Sequence, residues 1–217
     1  MTPLRKVVMV LLVGLFRLIM KMEVEGLEHF PLDGPVIVAA NHVTNLDVFP
    51  MQLSLPRPIF FMGKAGLFKF PLMDVVFRNL GAFPVYRGER DQWAIRHAAR
   101  VLEHGQTLGM FPEGTRSKGR GLGVARTGTA RLAIEMNCPI APMAIAGSDG
   151  FFTRFPRRTR VTVELLPPLM PGPDETPLAL TDRLMFTLAR ALPQDMRGVY
   201  AQAPKGFGDR GFAKNPD

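Results

Sequence analysis

The sequence predicts one α/β domain, a mixed, largely parallel sheet flanked by helices, preceded by an N-terminal membrane-associating helical segment. Three observations predict it. From about residue 35 onward, short apolar runs alternate with stretches of helical periodicity, and strands separated by helices of that length favour parallel neighbours. The 217 residues are 47% hydrophobic and 21% charged, enough to bury one normal core. Residues 7–16 form an apolar run behind Arg5 and Lys6.

The N-terminal run resembles the charged and apolar regions of a signal peptide, but Lys21-Met22-Glu23-Val24-Glu25 offers no small-x-small cleavage site. It is therefore expected to stay on the chain. A helix from Leu4 to Met20 would reach roughly 26 Å at about 1.5 Å per residue, short of a hydrocarbon core of about 30 Å. On a helical wheel Lys6, Arg17 and Lys21 share a sector of about 60°. That suits a helix embedded in one leaflet with its cations at the headgroups. Packing against the protein's own core and a single membrane span are the alternatives. The resulting division is residues 1–22 as the membrane-associating helix, 23–200 as the domain and 201–217 as a mobile, glycine- and charge-rich tail.

Within the domain, Val36-Ile37-Val38-Ala39-Ala40 reads as a buried strand, followed by a helix from Asp47 to Leu53. Ile59–Met62 reads as a strand, and Leu67–Leu80 as one or two helices interrupted near Pro71. Ala82–Tyr86 is a strand, Asp91–His104 a helix, Thr107–Phe111 a strand, and Thr127–Asn137 a helix closed by Cys138-Pro139. Strands follow at Ile140–Ala146 and Arg160–Leu166, and Leu178–Leu192 is the last helix.

Composition narrows the function. The apolar content argues against disorder, the charge content against a long coiled coil, and the 21 glycines lack the collagen triplet. A single cysteine, Cys138, excludes an intrachain disulfide framework and multi-cysteine zinc or iron–sulfur sites, and fits a reducing compartment. His29, His97 and His104 have no ligand-like spacing, so no metal is expected. The 27 Lys and Arg against 19 Asp and Glu leave +8, which favours phosphate-bearing partners: nucleic acid, anionic lipid or a phosphorylated small molecule.

The chemistry concentrates in Asn41-His42-Val43-Thr44-Asn45-Leu46-Asp47, at the end of the first buried strand, where α/β proteins place reactive groups. On a straight helix His42 and Asp47 would lie about 140° apart, so a loop must join them. Asp47 can then accept the Nδ1 proton, fix the tautomer and stabilise the imidazolium, leaving Nε2 to take a proton from a hydroxyl. Alternatively Asp47 is a helix N-cap within a capping-box-like Thr44-Asn45-Leu46-Asp47, with Pro50 in the first turn.

Three further blocks accompany it: Gly81-Ala82-Phe83-Pro84-Val85-Tyr86-Arg87, Phe111-Pro112-Glu113-Gly114-Thr115-Arg116-Ser117, and the apolar strand Ile140–Ala146 closing on Gly147. Together the four blocks resemble the glycerolipid acyltransferases, which include the lysophosphatidic acid acyltransferases, over about residues 23–170. The first and third blocks match closely. The second has Tyr86 where the family often has aspartate, and the fourth is loose, with Pro142 as its landmark.

The resemblance implies that His42 is a general base and Asp47 its orienting partner. The base deprotonates the free hydroxyl of lysophosphatidic acid as that oxygen attacks a thioester, acyl-CoA or acyl-carrier protein, giving phosphatidic acid without an acyl-enzyme. Arg87 and Arg116 would grip the acceptor phosphate. Glu113 would orient a glycerol hydroxyl or hold Arg116, with Gly114 and Thr115 in the same turn. Lys64 is a further phosphate contact. No cofactor beyond the co-substrate is implied, and the expected place is the cytoplasmic face of a membrane, peripheral or monotopic.

Other acceptors, such as glycerol-3-phosphate or another lysophospholipid, fit the same chemistry, and a non-catalytic lipid-binding protein is a further alternative. Nucleic acid is not the expected partner. Arg116, Lys118, Arg120, Arg126 and Arg131 could meet phosphates, but no aromatic residue lies among them to stack on bases. Residues 59–83, dense in Phe, Leu and Met, either pack as core, line an acyl-chain groove or rest on a bilayer.

Overall fold

The computed structural model describes residues 10, 13–16, 18–86, 91–150 and 157–203. Its strands are β1 (Met20–Glu25), β2 (Val36–Ala40), β3 (Ile59–Lys64), β4 (Ala82–Val85), β5 (Thr107–Met110), β6 (Ile140–Ala146) and β7 (Thr159–Leu165). They form one seven-stranded sheet in the order β1-β7-β6-β2-β5-β3-β4. Only β6 and β7 pair antiparallel, so β6, β2, β5, β3 and β4 are a parallel block. The helices are α1 (Val48–Ser54), α2 (Pro71–Asn79), α3 (Gln92–Glu103), α4 (Gly128–Glu135) and α5 (Pro177–Ala191).

Crossover helices cover both faces of the parallel block, which is why β2 is apolar and buried at every position. Ile37 and Ala39 point into the layer of α3, α4 and α5, with Leu102, Leu184 and Cys138. Val36, Val38 and Ala40 point to the opposite layer, where Met51 and Leu55 of the α1 region pack. At the sheet's other side β7 alternates buried Val161, Val163 and Leu165 with more exposed neighbours, the pattern of a strand covered on one face only. Local signals agree with the ends: Asp91 accepts a bond from the Ala94 N–H at the start of α3, and Thr176 does so from Ala179, with Pro177 leading α5.

One boundary is corrected. The N-terminal helix was expected through Met20 and its segment through Met22, yet Met20–Glu25 is a strand pairing in parallel with Thr159–Glu164. Met20, Met22 and Val24 alternate with Lys21, Glu23 and Glu25, a period of two that suits an edge strand. Arg160 Nε donates to Glu23 across this pairing (2.8 Å). The sheet therefore begins at Met20, and Lys21 belongs to it rather than to a helical cation sector. Ahead of it Val13–Phe16, Leu18 and Ile19 are helical, and Phe16 packs on Phe49 with ring centroids 4.2 Å apart. Lys6, Arg17 and most of the expected helix lie outside the described residues, as does the tail from residue 204. Among the described residues no helix is long and apolar enough to cross a membrane.

Candidate active site

Strands β2 and β5 run side by side and parallel, Val36 facing Thr107 and Ala39 facing Met110. The loops leaving their carboxyl ends, residues 41–47 and 111–117, therefore emerge together. Asn41 fixes the first loop from the other side. Its Nδ2 donates to the Ile145 carbonyl and its Oδ1 accepts from the Ile145 N–H, both at 2.8 Å, so the side chain extends the β2–β6 ladder past Ala40.

The next residue is His42, and its Nδ1 lies 2.9 Å from Asp47 Oδ2. Asp47 is fully buried. The same oxygen accepts the N–H groups of Val43 (2.6 Å) and Thr44 (2.8 Å), and Oδ1 accepts the Thr44 hydroxyl (3.1 Å). A carboxylate with that many donors acts only as an acceptor, which puts the shared proton on Nδ1. Asp47 does stand at the N-cap position of α1, as the alternative reading has it, but its side chain makes no capping bond to the helix and serves the 42–44 loop instead. The Phe111 ring stacks on the imidazole at 4.0 Å and 14°. Nε2 has no protein partner among the described residues, and the side chain is 11% exposed.

Glu113 holds the main chain of His42. Its Oε1 accepts the His42 N–H (2.9 Å) and its Oε2 the Gly123 N–H (2.8 Å), while Ser117 N–H donates to the His42 carbonyl (2.7 Å). Burial pushes the Glu113 carboxyl above its ordinary value, opposed by those two N–H bonds. The expected roles for Glu113 were a substrate hydroxyl or Arg116; both of its oxygens instead engage main-chain N–H groups. Gly114 takes φ +66°, a conformation that strains any side chain, and this turn lets Glu113, Thr115 and Arg116 line one cavity of about 410 Å³. Arg116 is exposed and makes no ion pair among the described residues.

A family model described as Acyltransferase matches residues 21–146, more than half of the chain. The chain belongs to the acyltransferase family. It is 31% identical over 214 residues to the 1-acyl-sn-glycerol-3-phosphate acyltransferase alpha of Ovis aries, spanning 88% of this chain and 71% of that protein. To the Homo sapiens protein of the same name it is 30% identical over 210 residues, 87% and 71% of the two chains. Among solved structures it resembles the 1-acyl-sn-glycerophosphate (LPA) acyltransferase PlsC of Thermotoga maritima, with a TM-score of 0.72 and 26% identity over 86% of this chain and 77% of that one. The protein is an acyltransferase enzyme.

In this acyltransferase Lys64 ends β3 opposite Val85 of β4 and opens into a cleft of about 880 Å³ that also holds Lys69, Asp74, Arg78 and Tyr86. That cleft is separate from the one bordered by Arg116. Arg87 lies outside the described residues. An apolar groove of about 450 Å³ starts at Asn45 and Leu46 of the 41–47 loop and runs between Phe49 and Leu53 of α1 and Val76 and Phe77 of α2. Cys138 is fully buried in the layer of α3, α4 and α5, and burial pushes its thiol up to about 11.

Sequence reasoning missed four contributors. Asn41 and Phe111 adjoin the motif residues and were quoted only as their neighbours. Gly123 lies in a glycine-rich loop that shows no partner by itself. Turns Gln194–Met196 and Gly198–Tyr200 clasp that loop: Leu122 N–H donates to Met196 (2.9 Å), Val199 N–H to Leu122 (3.0 Å), and Ala125 N–H to the Tyr200 hydroxyl (3.2 Å). No local signal in the sequence announces that clasp.

Proposed function

We propose that the protein transfers a fatty acyl group from a thioester, acyl-CoA or acyl-carrier protein, to the free hydroxyl of lysophosphatidic acid at a membrane surface, giving phosphatidic acid. The observation that carries this reading is the buried His42–Asp47 pair, its Nε2 without a partner among the described residues, on a loop that borders an apolar groove and is bonded to the loop carrying an exposed arginine. His42 Nε2 takes the hydroxyl proton as the oxygen bonds to the thioester carbonyl carbon. The tetrahedral intermediate collapses, the carbon–sulfur bond breaks, and the imidazolium returns the proton to the departing thiolate. Asp47 stabilises the imidazolium between these steps, and general-base catalysis of this kind is worth roughly 10²- to 10⁴-fold.

Direct transfer without an acyl-enzyme is favoured because the single cysteine is sealed in the core with its thiol pushed up to about 11, far from an activated nucleophile. Arg116 supplies the phosphate contact, from an exposed position with no competing carboxylate among the described residues, whereas Lys64 lies in a separate cleft. Glu113 acts as a positioning residue through the His42 N–H rather than on substrate. The names of the relatives support the acceptor.

The test offers lysophosphatidate with each donor and detects phosphatidate by mass spectrometry. The wild type forms it with at least one donor, and folded His42→Ala does not. Wild-type rates in that variant would end the mechanism. A panel of other phosphorylated acceptors ranks the alternatives.

A further inference from the structure

Helix α2 and the turn before it are out of place for a soluble surface. None of the nine residues of α2 is buried, yet Leu67, Phe70, Leu72, Met73 and Val75 are 40–74% exposed within one short stretch. Isolated exposed apolar residues are ordinary, but a contiguous patch marks an interaction site. The arrangement around the helix sharpens this. Met73, Val76, Phe77 and Leu80 turn to the apolar groove. Leu72 and Val75 point away from it, their positions about 90° and 150° from the mean direction of that group on a helical wheel. The polar residues are Asp74 and Arg78, paired at 2.8 Å, and Asn79, which falls between Val75 and Leu72 on the wheel. A helix with apolar residues around most of its circumference is buried in protein or in lipid; one face meets β4 and the turn 65–69, and among the described residues nothing covers Leu72 and Val75.

We propose that the segment from Ala65 to Asn79 is inserted into the surface of an anionic bilayer, so that the apolar groove opens directly into the acyl-chain region of one leaflet. The inference rests on the acyl-transfer reading above. Three features commit the patch to lipid rather than to a second copy of the chain or a carrier protein. Exposed Lys64, Lys69 and Arg78 flank it, in a chain of net charge +8, the complement of anionic headgroups. The patch is continuous with the groove through Leu67 and Met73, which belong to both. The N-terminal helical residues reach the same layer, Phe16 resting on the groove residue Phe49 while Leu15 and Leu18 stay exposed. Two apolar elements thus border one groove. Phe68, packed on Phe77 at 5.8 Å with the Arg78 guanidinium 5.6 Å above it, stiffens the turn.

The test is flotation of the full chain, without substrate, on vesicles of phosphatidylglycerol mixed with phosphatidylcholine. The double variant Leu72→Glu/Val75→Glu should bind at least about tenfold more weakly than wild type. Its melting temperature and its turnover of short-chain, water-soluble donor and acceptor should match wild type, because neither residue borders the groove or the 41–47 loop. A second variant, Leu72→Trp, should gain fluorescence quenching by vesicles with brominated acyl chains, above that of Trp93, the chain's single tryptophan. Unchanged flotation of the double variant, or no added quenching at position 72, overturns the proposal. So does a concentration-dependent dimer in sedimentation velocity that the double variant abolishes, since a second copy would then own the patch. Flotation uses no catalysis, so loss of the acyltransferase reading would show in product formation alone.

Discussion

Consider replacing Glu113 by Gln and, separately, by Ala. In the wild type its two oxygens accept the N–H groups of His42 and Gly123 at 2.9 and 2.8 Å, and the residue is only 5% exposed. Alanine leaves both donors buried without an acceptor, at about 1–3 kcal/mol each, partly offset because a buried carboxylate no longer has to be desolvated. A net stability loss of about 1–3 kcal/mol follows. Glutamine is nearly isosteric but keeps one acceptor and turns an amide N–H toward the other donor, so it loses one bond and gains a repulsion. Alanine releases the main chain of His42 on one side, and glutamine does so when its NH2 rather than its oxygen faces the His42 N–H, while the Asp47 bond and the Ser117 bond remain.

Small misplacement of a catalytic base is costly, up to about 10²-fold for about 1 Å. Losing about 1.4–2.7 kcal/mol of transition-state stabilisation corresponds to a fall in kcat of about 10- to 100-fold. The KM for lysophosphatidate should stay within about twofold, since interactions made in both ground and transition states are untouched. Steady-state kinetics at saturating donor, with melting curves beside them, separate the two quantities. A Glu113→Gln enzyme with wild-type kcat and a KM raised tenfold would refute the positioning argument and return Glu113 to the substrate.

Arg116→Ala should do the reverse, raising KM for the phosphorylated acceptor by roughly 10- to 100-fold, the worth of a charged hydrogen bond at about 1.5–3 kcal/mol, with kcat near wild type; a phosphate-free acceptor should show no such change. Cys138 is buried with its thiol pushed up to about 11, so maleimide should label it only after denaturation, and Cys138→Ala should keep wild-type kcat; rapid inactivation of the native enzyme by thiol reagents would contradict this. Burial holds the Glu113 carboxyl above its ordinary value of 4.5, so folding favours the neutral form, and that contribution is lost as pH rises through the raised value. Melting temperatures of wild type minus Glu113→Gln should therefore decline from pH 4.5 upward, whereas a difference that grows with pH would mean the two N–H bonds outweigh burial.

Much of the fold is local enough to read from the chain. Ile140–Ala146 is a strand over the residues its apolar run defines, and the break near Pro71 separates the turn Ala65–Lys69 from α2. The unforeseen strand β1 depends on β7, more than a hundred residues away. Its alternation was masked by the apolar run directly before it. The spacing of His42 and Asp47 raised two geometries, and only the four bonds converging on the Asp47 carboxylate decide between them. Glu113 was legible as a site residue, but its partners were not. Which N–H groups it holds is set by β2 and β5 lying adjacent and by a C-terminal clasp on Leu122, both products of the tertiary fold. Exposure of α2 was one of the readings the sequence left open for residues 59–83, beside core and groove, and Leu, Met and Val alone do not choose among them.

The separation of the two recesses gives the site a direction. The apolar groove begins at Asn45 and Leu46, immediately before Asp47. The cavity of Arg116 includes Glu113, which bonds the His42 N–H. His42, bonded to Asp47 through Nδ1 and to Glu113 through its N–H, thus links the loop at the apolar recess to the loop at the cationic one. A lysolipid has its own break at the same place, with a chain on one side, a phosphate on the other and the reacting hydroxyl between them. Charge in the groove would have to shed its hydration, and an acyl chain beside Arg116 would leave about 0.8 kcal/mol per methylene unburied. Even a few methylenes make the reversed orientation the minor one. On the proposed function, the orientation that satisfies both ends would bring the glycerol hydroxyls toward Nε2 of His42, so that selection of the acceptor and placement of its proton would follow from one boundary in the protein surface.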